Sequence, residues 1–255
     1  MKRVDLNCDL GESFGNYTCG MDSSVIPHIS SANIACGFHA SDPLVMQKTV
    51  ALAAKYNTAV GAHPGFPDLV GFGRRNMNVS PDELKAMVKY QIGALNAFCK
   101  SCGIVMQHVK PHGAMYNMAA KDRRLADAIC DAVAEVDNSL ILLGLSGSEM
   151  LKAAQDKDLR CASEVFADRA YEDDGSLTPR TLEGSVITDE ELAISRVLQM
   201  VTQGTVTARS GKIIPIQADS ICLHGDGVKA VEFAKRIRQA LVDSNVEILP
   251  LKELK

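Results

Sequence analysis

The chain has 255 residues, 46% of them hydrophobic and 23% charged, with 27 Lys+Arg against 31 Asp+Glu for a formal net charge of −4. These proportions provide for a globular core and exclude long disorder and nucleic-acid binding through bulk charge. No apolar run reaches the roughly 18 to 20 residues of a membrane helix, the N-terminus MKRVDLNCDLGE turns acidic too early for a signal peptide, and the eight cysteines are thinly spread in a chain large enough to fold without staples, which points to a reducing cytoplasm.

Short apolar runs alternate with helix-like stretches along nearly the whole chain, the pattern of an α/β fold with parallel strands. Strands are predicted at 4–9, 32–36, 58–62, 104–110, 140–145, 161–166 and 220–224. Between them, Ser80-Pro81-Asp82-Glu83 combines an N-cap, an N1 proline and a capping-box glutamate ahead of Leu84, Met87, Val88, Gln91 and Leu95 at helical spacing. Ser146 with Glu149, and Thr188 with Glu191, are read as further capping boxes, and Val228, Val231, Ala234, Ile237 and Leu241 mark a final helix. A doubly wound sheet shares this alternation, but nearly every predicted strand ends in ionisable residues, which in a barrel converge on one mouth. The expectation is a TIM-like (β/α) barrel slightly short of eight strands, forming one domain over 1–255, with residues 64–79 and 167–187 as lids or binding loops.

Several familiar signatures fail. There is no GxxxxGK[ST] phosphate loop, and Gly71-Phe72-Gly73-Arg74-Arg75-Asn76 ends in Asn and lies well past a strand, so it is no dinucleotide fingerprint. Gly144-Leu145-Ser146-Gly147-Ser148 lacks the last glycine of a serine-nucleophile elbow. Cys99 and Cys102 sit before the helix terminator Gly103, about 17 Å of strand away from His112, too far to share one zinc.

The strand ends carry the candidate chemistry. Asp5, Asn7 and Asp9 share one face of the first strand, with Asp9 and Glu12 as functional candidates and Asp5 as a structural one. His39 follows the second strand, where Asp42 before Pro43 reads as an N-cap, and His63 sits at the tip of the third. Lys110 and His112 end the fourth, with His108 a core histidine or a ligand; Glu164, Asp168 and Arg169 follow the sixth; His224 and Asp226 follow the seventh. Acids, imidazoles and cations gathered at strand C-terminal ends point to proton transfer on an anionic substrate.

The motifs DLNCDLGESFG, ANIACGFHASDP, GAHPGFPDLVGFGRR, HVKPHGAMYN, EVFADRAYEDDGSLTPR and ICLHGDG, in this order, make the chain similar to the LamB/YcsF family. Cys8 and Ser41 stand where smaller residues are expected. The resemblance implies a (β/α)7 barrel of the glycoside hydrolase/deacetylase type. It also implies the role of the A subunit of a bacterial ATP-dependent 5-oxoprolinase, which opens the lactam of 5-oxo-L-proline to L-glutamate with hydrolysis of ATP, acting with B and C subunits. In that reaction Asp9, Glu12 and Glu164 are candidate bases, while His39, His63, His112 and His224 move protons. Lys110, Arg74 and Arg169 neutralise phosphate or carboxylate, and Asn7, Asp168 and Asp226 help hold substrate. ATP, with Mg2+, is a co-substrate without a phosphate loop to receive it. Two other readings remain: a metal-dependent deacetylase with Asp9, His39 and His63 as ligands, and a noncatalytic scaffold subunit.

Overall fold

Side chains of a strand alternate between two faces, and a parallel sheet buries both. The first strand, β1 (Lys2–Leu10), obeys this: Val4, Leu6, Cys8 and Leu10 are buried apolar residues, while Asp5 and Asn7, at 0% exposure, must be satisfied on the opposite face. The computed structural model describes residues 1–223 and 228–254, with the backbone alone for 228–230. After β1 come α1 (Asp22–Val25), β2 (Ser31–Ala35), α2 (Pro43–Tyr56), β3 (Ala59–His63), α3 (Pro81–Ser101), β4 (His108–Val109), α4 (Gly113–Ala119) and α5 (Arg123–Val136). The second half holds β5 (Ile141–Leu145), α6 (Glu149–Asp156), β6 (Cys161–Phe166), α7 (Glu190–Leu198), β7 (Thr205–Thr207), β8 (Ile213–Pro215), β9 (Ser220–Leu223), α8 (Val228–Asp243) and β10 (Val246–Ile248).

Seven strands, β1 to β6 and β9, pair in parallel in sequence order, and β9 returns to pair with β1, so the sheet closes into a (β/α)7 barrel. Every strand predicted from the sequence enters this barrel, the sixth with the predicted ends and the others with shifted ones. The fourth shrinks to two residues because Gly103 (φ +71°) turns the chain and Ile104 N still caps α3 on Cys99 O; the ladder resumes only with Gln107 N on Val60 O. Three short strands escaped sequence reading. The β10 strand pairs with Lys2–Val4 at the entry end of β1, before β9 takes over at Asp5, and β7 with β8 forms an antiparallel hairpin between the sixth and seventh barrel strands. Each has only three residues, too few for a hydrophobic period to register.

The helix signals mostly hold. Ser80 and Glu83 form the reciprocal capping box of α3, whose face of Leu84, Val88, Ile92, Leu95 and Cys99 is buried. Asp42 caps α2 through Leu44 N and Val45 N. Two caps are corrected. For α7 the cap is Asp189, whose carboxylate accepts from Leu192 N and draws the start one residue past Thr188. For α6 the N-cap position is Ser148, while Ser146 Oγ accepts from Gln217 N across the loop. In α8, Ala234, Ile237 and Leu241 are fully buried as the spacing predicts. Among the described residues no helix is long and apolar enough to cross a membrane, and all eight cysteines are free thiols.

Candidate active site

The barrel interior is a polar ladder that begins well below the mouth. Asp5 accepts from Ser30 Oγ (2.7 Å) and Ser31 Oγ (2.6 Å) and from Ser220 Oγ. Burial raises its pKa to about 6 despite these donors. One layer up, Asn7 Nδ2 donates to Glu164 Oε1 (3.0 Å) and Ser220 Oγ (2.7 Å), and Asn33 Nδ2 donates to Asn7 Oδ1 (2.7 Å) and Asp9 Oδ1 (2.8 Å). His108 Nε2 donates to Asn33 Oδ1 (2.6 Å), and burial drives this imidazole down to about 3, so it is neutral. The ring fits because residue 61 is glycine; a Cβ there would overlap the imidazole. His108 is thus a positioning residue inside the barrel.

Lys110 closes the ladder at the mouth. Its Nζ lies 2.9 Å from Asp9 Oδ1, 2.9 Å from Glu164 Oε1, 3.3 Å from Asn7 Oδ1 and 3.2 Å from Cys222 Sγ, above the Phe166 ring. Burial opposes the charge on both partners of the Lys110–Asp9 pair. It is outweighed: His63 and Lys110 hold the Asp9 carboxyl well below the usual range, and Asp9, Cys222 and Glu164 hold Lys110 well above its own. Tyr116 OH donates to Glu164 Oε2 at 2.8 Å, completing that carboxylate's partners.

Three imidazoles cluster at the mouth, with His63 beside Asp9. His63 Nδ1 donates to the main-chain oxygen of Lys110 (2.7 Å), leaving Nε2 3.3 Å from Asp9 Oδ2 and 2.9 Å from His112 Nδ1. His112 Nε2 donates to Phe72 O at 2.8 Å. His39 stacks parallel on His112 with centroids 3.7 Å apart, and Glu12 Oε1 lies 3.4 Å from His39 Nε2 and 3.6 Å from His112 Nδ1. Burial, then the neighbouring imidazoles, lower His39 well below its usual value and His112 to about 3. The loop after β3 is pinned by Gln91, which donates to Gly65 O (3.0 Å) and accepts from Gly65 N (2.9 Å). A Cβ at Gly65 would come within 2.5 Å of His39 Nδ1.

These groups floor a cavity of about 760 Å³ at the C-terminal ends of the strands. Asp9, Glu12, His63, Lys110 and His112 line it directly, with Arg74 and Arg169 on its walls. Asn7, His39 and Glu164 belong to the same network but do not line the cavity; Glu164 is fully buried beneath Lys110, so it orients the ammonium and does not reach a substrate. Asp168 does not line it either, and its carbonyl accepts from Ile187 N to hold the loop after β6. His224 and Asp226 lie outside the described residues. Both long loops reach the cavity, 64–79 with Phe72, Arg74 and Asn76, and 167–187 with Arg169, Leu177 and Arg180. Arg169 is anchored on Ser185 O and Thr178 O, and burial followed by the nearby Arg180 charge lowers it to about 10. Sequence reading missed Asn33, Gln91 and Tyr116. Asn33 and Tyr116 lay within quoted motifs, but nothing local marks a helical tyrosine or a strand asparagine as a partner of a distant acid.

A closed parallel barrel with ionised acid, ammonium and imidazoles at its C-terminal mouth defines a (β/α)7-barrel protein with a hydrolase-type site. The chain belongs to the LamB/YcsF family, whose model matches residues 4–255. The 5-oxoprolinase A subunit of Clostridium beijerinckii is 65% identical over 254 residues, covering 100% of both chains. A crystal structure of a lactam utilization protein from Thermus thermophilus superposes with a TM-score of 0.92 at 48% identity, covering 97% of this chain and 99% of that one. A family 4 carbohydrate esterase from Streptomyces lividans shares the fold alone, with a TM-score of 0.51 at 11% identity over 99% of this chain and 95% of the other.

Proposed function

We propose that this chain is the A subunit of an ATP-dependent 5-oxoprolinase and carries ring-opening chemistry on the lactam of 5-oxo-L-proline. Support comes from full-length relatives of that name and from the site itself. The observation that carries the reading is Asp9: a carboxylate held ionised by Lys110 and His63 on the floor of a cavity walled by Arg74, Arg169 and Arg180. A lactam carbonyl is a poor electrophile, and transfer of the ATP γ-phosphoryl to its oxygen makes the ring carbon open to water. Asp9, with His63 and His112 beside it, takes the proton of the attacking water, and the C–N bond breaks as the ring nitrogen gains a proton. A second water removes the phosphoryl group, so glutamate, ADP and phosphate leave for two waters consumed. The guanidinium-walled cavity suits the substrate carboxylate and the phosphates of Mg-ATP.

The B and C subunits complete the enzyme in this reading, and the free thiols favour the cytoplasm. The test is ADP formation by this chain mixed with both partners, with and without 5-oxoproline. Hydrolysis that needs the lactam supports the proposal. ATP-independent release of acetate from acetylated sugars would favour the deacetylase reading, and full activity without this chain would favour neither.

A further inference from the structure

We propose that Glu12, His39, His63 and His112 form a binding site for one divalent transition-metal ion, of the zinc class, at the floor of the cavity. Their donor atoms all lie within 4.8 Å of one another. They arrive from the C-terminal ends of four consecutive strands, β1 to β4, so the barrel itself sets their spacing.

The hydrogen bonds around the rings make this a cation site. A carbonyl oxygen can only accept, so the bonds from His63 Nδ1 to Lys110 O and from His112 Nε2 to Phe72 O fix a proton on each outer nitrogen. The inner nitrogens, His63 Nε2 and His112 Nδ1, then face each other across 2.9 Å, with Asp9 Oδ2 3.3 Å from the former and Glu12 Oε1 3.6 Å from the latter. Such donors converging in a buried place repel unless a cation, a proton or a metal ion, lies among them, and a divalent ion takes the proton's place. Outer N–H groups tied to main-chain carbonyls are the arrangement that orients metal-binding histidines.

His39 is the independent observation. It is 1% exposed, and neither ring nitrogen has a hydrogen-bond partner among the described residues, although Nε2 points to within 3.4 Å of Glu12 Oε1. A buried imidazole left in that state costs stability unless something else occupies its lone pair. Gly65 and Gly73 lie against His39, where an added Cβ would come within 2.5 Å of Nδ1 and 2.7 Å of the His39 Cβ, so only glycine leaves room for the imidazole at the site.

Three nitrogens and one carboxylate oxygen suit Zn2+ or Co2+, at roughly 2.0–2.2 Å from each donor, and not the all-oxygen shell of Mg2+. The Mg2+ that travels with a nucleotide is therefore a separate ion. Loading turns His39 out of its parallel stack on His112, because a metal must lie in the plane of each ring it binds. The proposal stands whether or not the chain opens a lactam.

The test uses the metal-stripped full-length chain and needs no activity. After Zn2+ is added and excess removed by gel filtration, elemental analysis should find one zinc per chain. The Co2+ form should show visible bands of nitrogen and oxygen ligands without a near-ultraviolet thiolate charge-transfer band. His112→Ala and Glu12→Gln, verified as folded by circular dichroism, should each weaken Zn2+ binding at least tenfold, whereas Cys102→Ser should not. No retained zinc, a thiolate band, or full zinc affinity in the folded His112→Ala variant would each overturn the site.

Discussion

Lys110 and Asp9 form a buried ion pair, Nζ to Oδ1 at 2.9 Å, in which each partner holds the other charged against the cost of burial. Everything chemical at the mouth is arranged around that pair: Asn33 and His63 approach Asp9, and Glu164, Asn7 and Cys222 approach Lys110.

Lys110→Met therefore strands two carboxylates in the barrel. Breaking a buried pair from one side costs about 3–5 kcal/mol, to be read from urea unfolding, and glutamate formation should fall to background. Lys110→Arg should not restore activity, since a planar guanidinium does not fit among four partners that converge on one nitrogen.

Asp9→Asn keeps size and shape but removes the proton acceptor. The expected result is a fall in kcat of about 10²–10⁴ with KM changed only a few-fold, measured as glutamate release in the three-subunit mixture. A variant that kept kcat and raised KM alone would assign Asp9 to binding.

Arg180→Gln tests the cavity wall. Removing one guanidinium from an anion-binding surface should raise the KM of ATP or 5-oxoproline about tenfold, with kcat changed less and with a weaker dependence on salt. Steady-state kinetics at two ionic strengths read both effects.

The fold was legible because its strands are apolar runs and its helices carry caps, and the site was legible where a motif put an ionisable residue at a strand end. Asp9, His63 and Lys110 are such residues, and the alternation Asp5-Asn7-Asp9 foretold a polar interior. The division of labour was not legible. Glu164 looks as exposed in sequence as Asp9, and only the packing of Lys110 and Tyr116 over it shows that it is sealed from the cavity. Likewise the sequence reading grouped Asp9 with His39 and His63, whereas the structure sets Asp9 between Lys110 and His63 and places Glu12 against His39 and His112. Which acid meets which base is decided by barrel stagger, and no local pattern records it.

Two buried groups give opposite pH signatures. His108 has its folded pKa depressed to about 3 from 6.5, so its contribution is full above pH 6.5 and is lost as the pH falls toward 3. Asp5 has its folded pKa raised to about 6 from 3.8, so it costs stability above pH 6, and that cost is relieved as the pH falls toward 3.8. Between pH 7 and 4.5, His108→Gln should shrink the acid loss of stability by about 2–3 kcal/mol, and Asp5→Asn should enlarge it by about 2 kcal/mol. Urea unfolding at the two pH values checks both signs.

The most direct measurement is glutamate and phosphate release from 5-oxoproline and Mg-ATP by the chain combined with its two partner subunits. The complete mixture should release equal amounts of the two products, with none when this chain is omitted and near-complete loss with Asp9→Asn. Glutamate release that is undiminished with Asp9→Asn, or that proceeds without this chain, would overturn the assignment of the chemistry to this barrel.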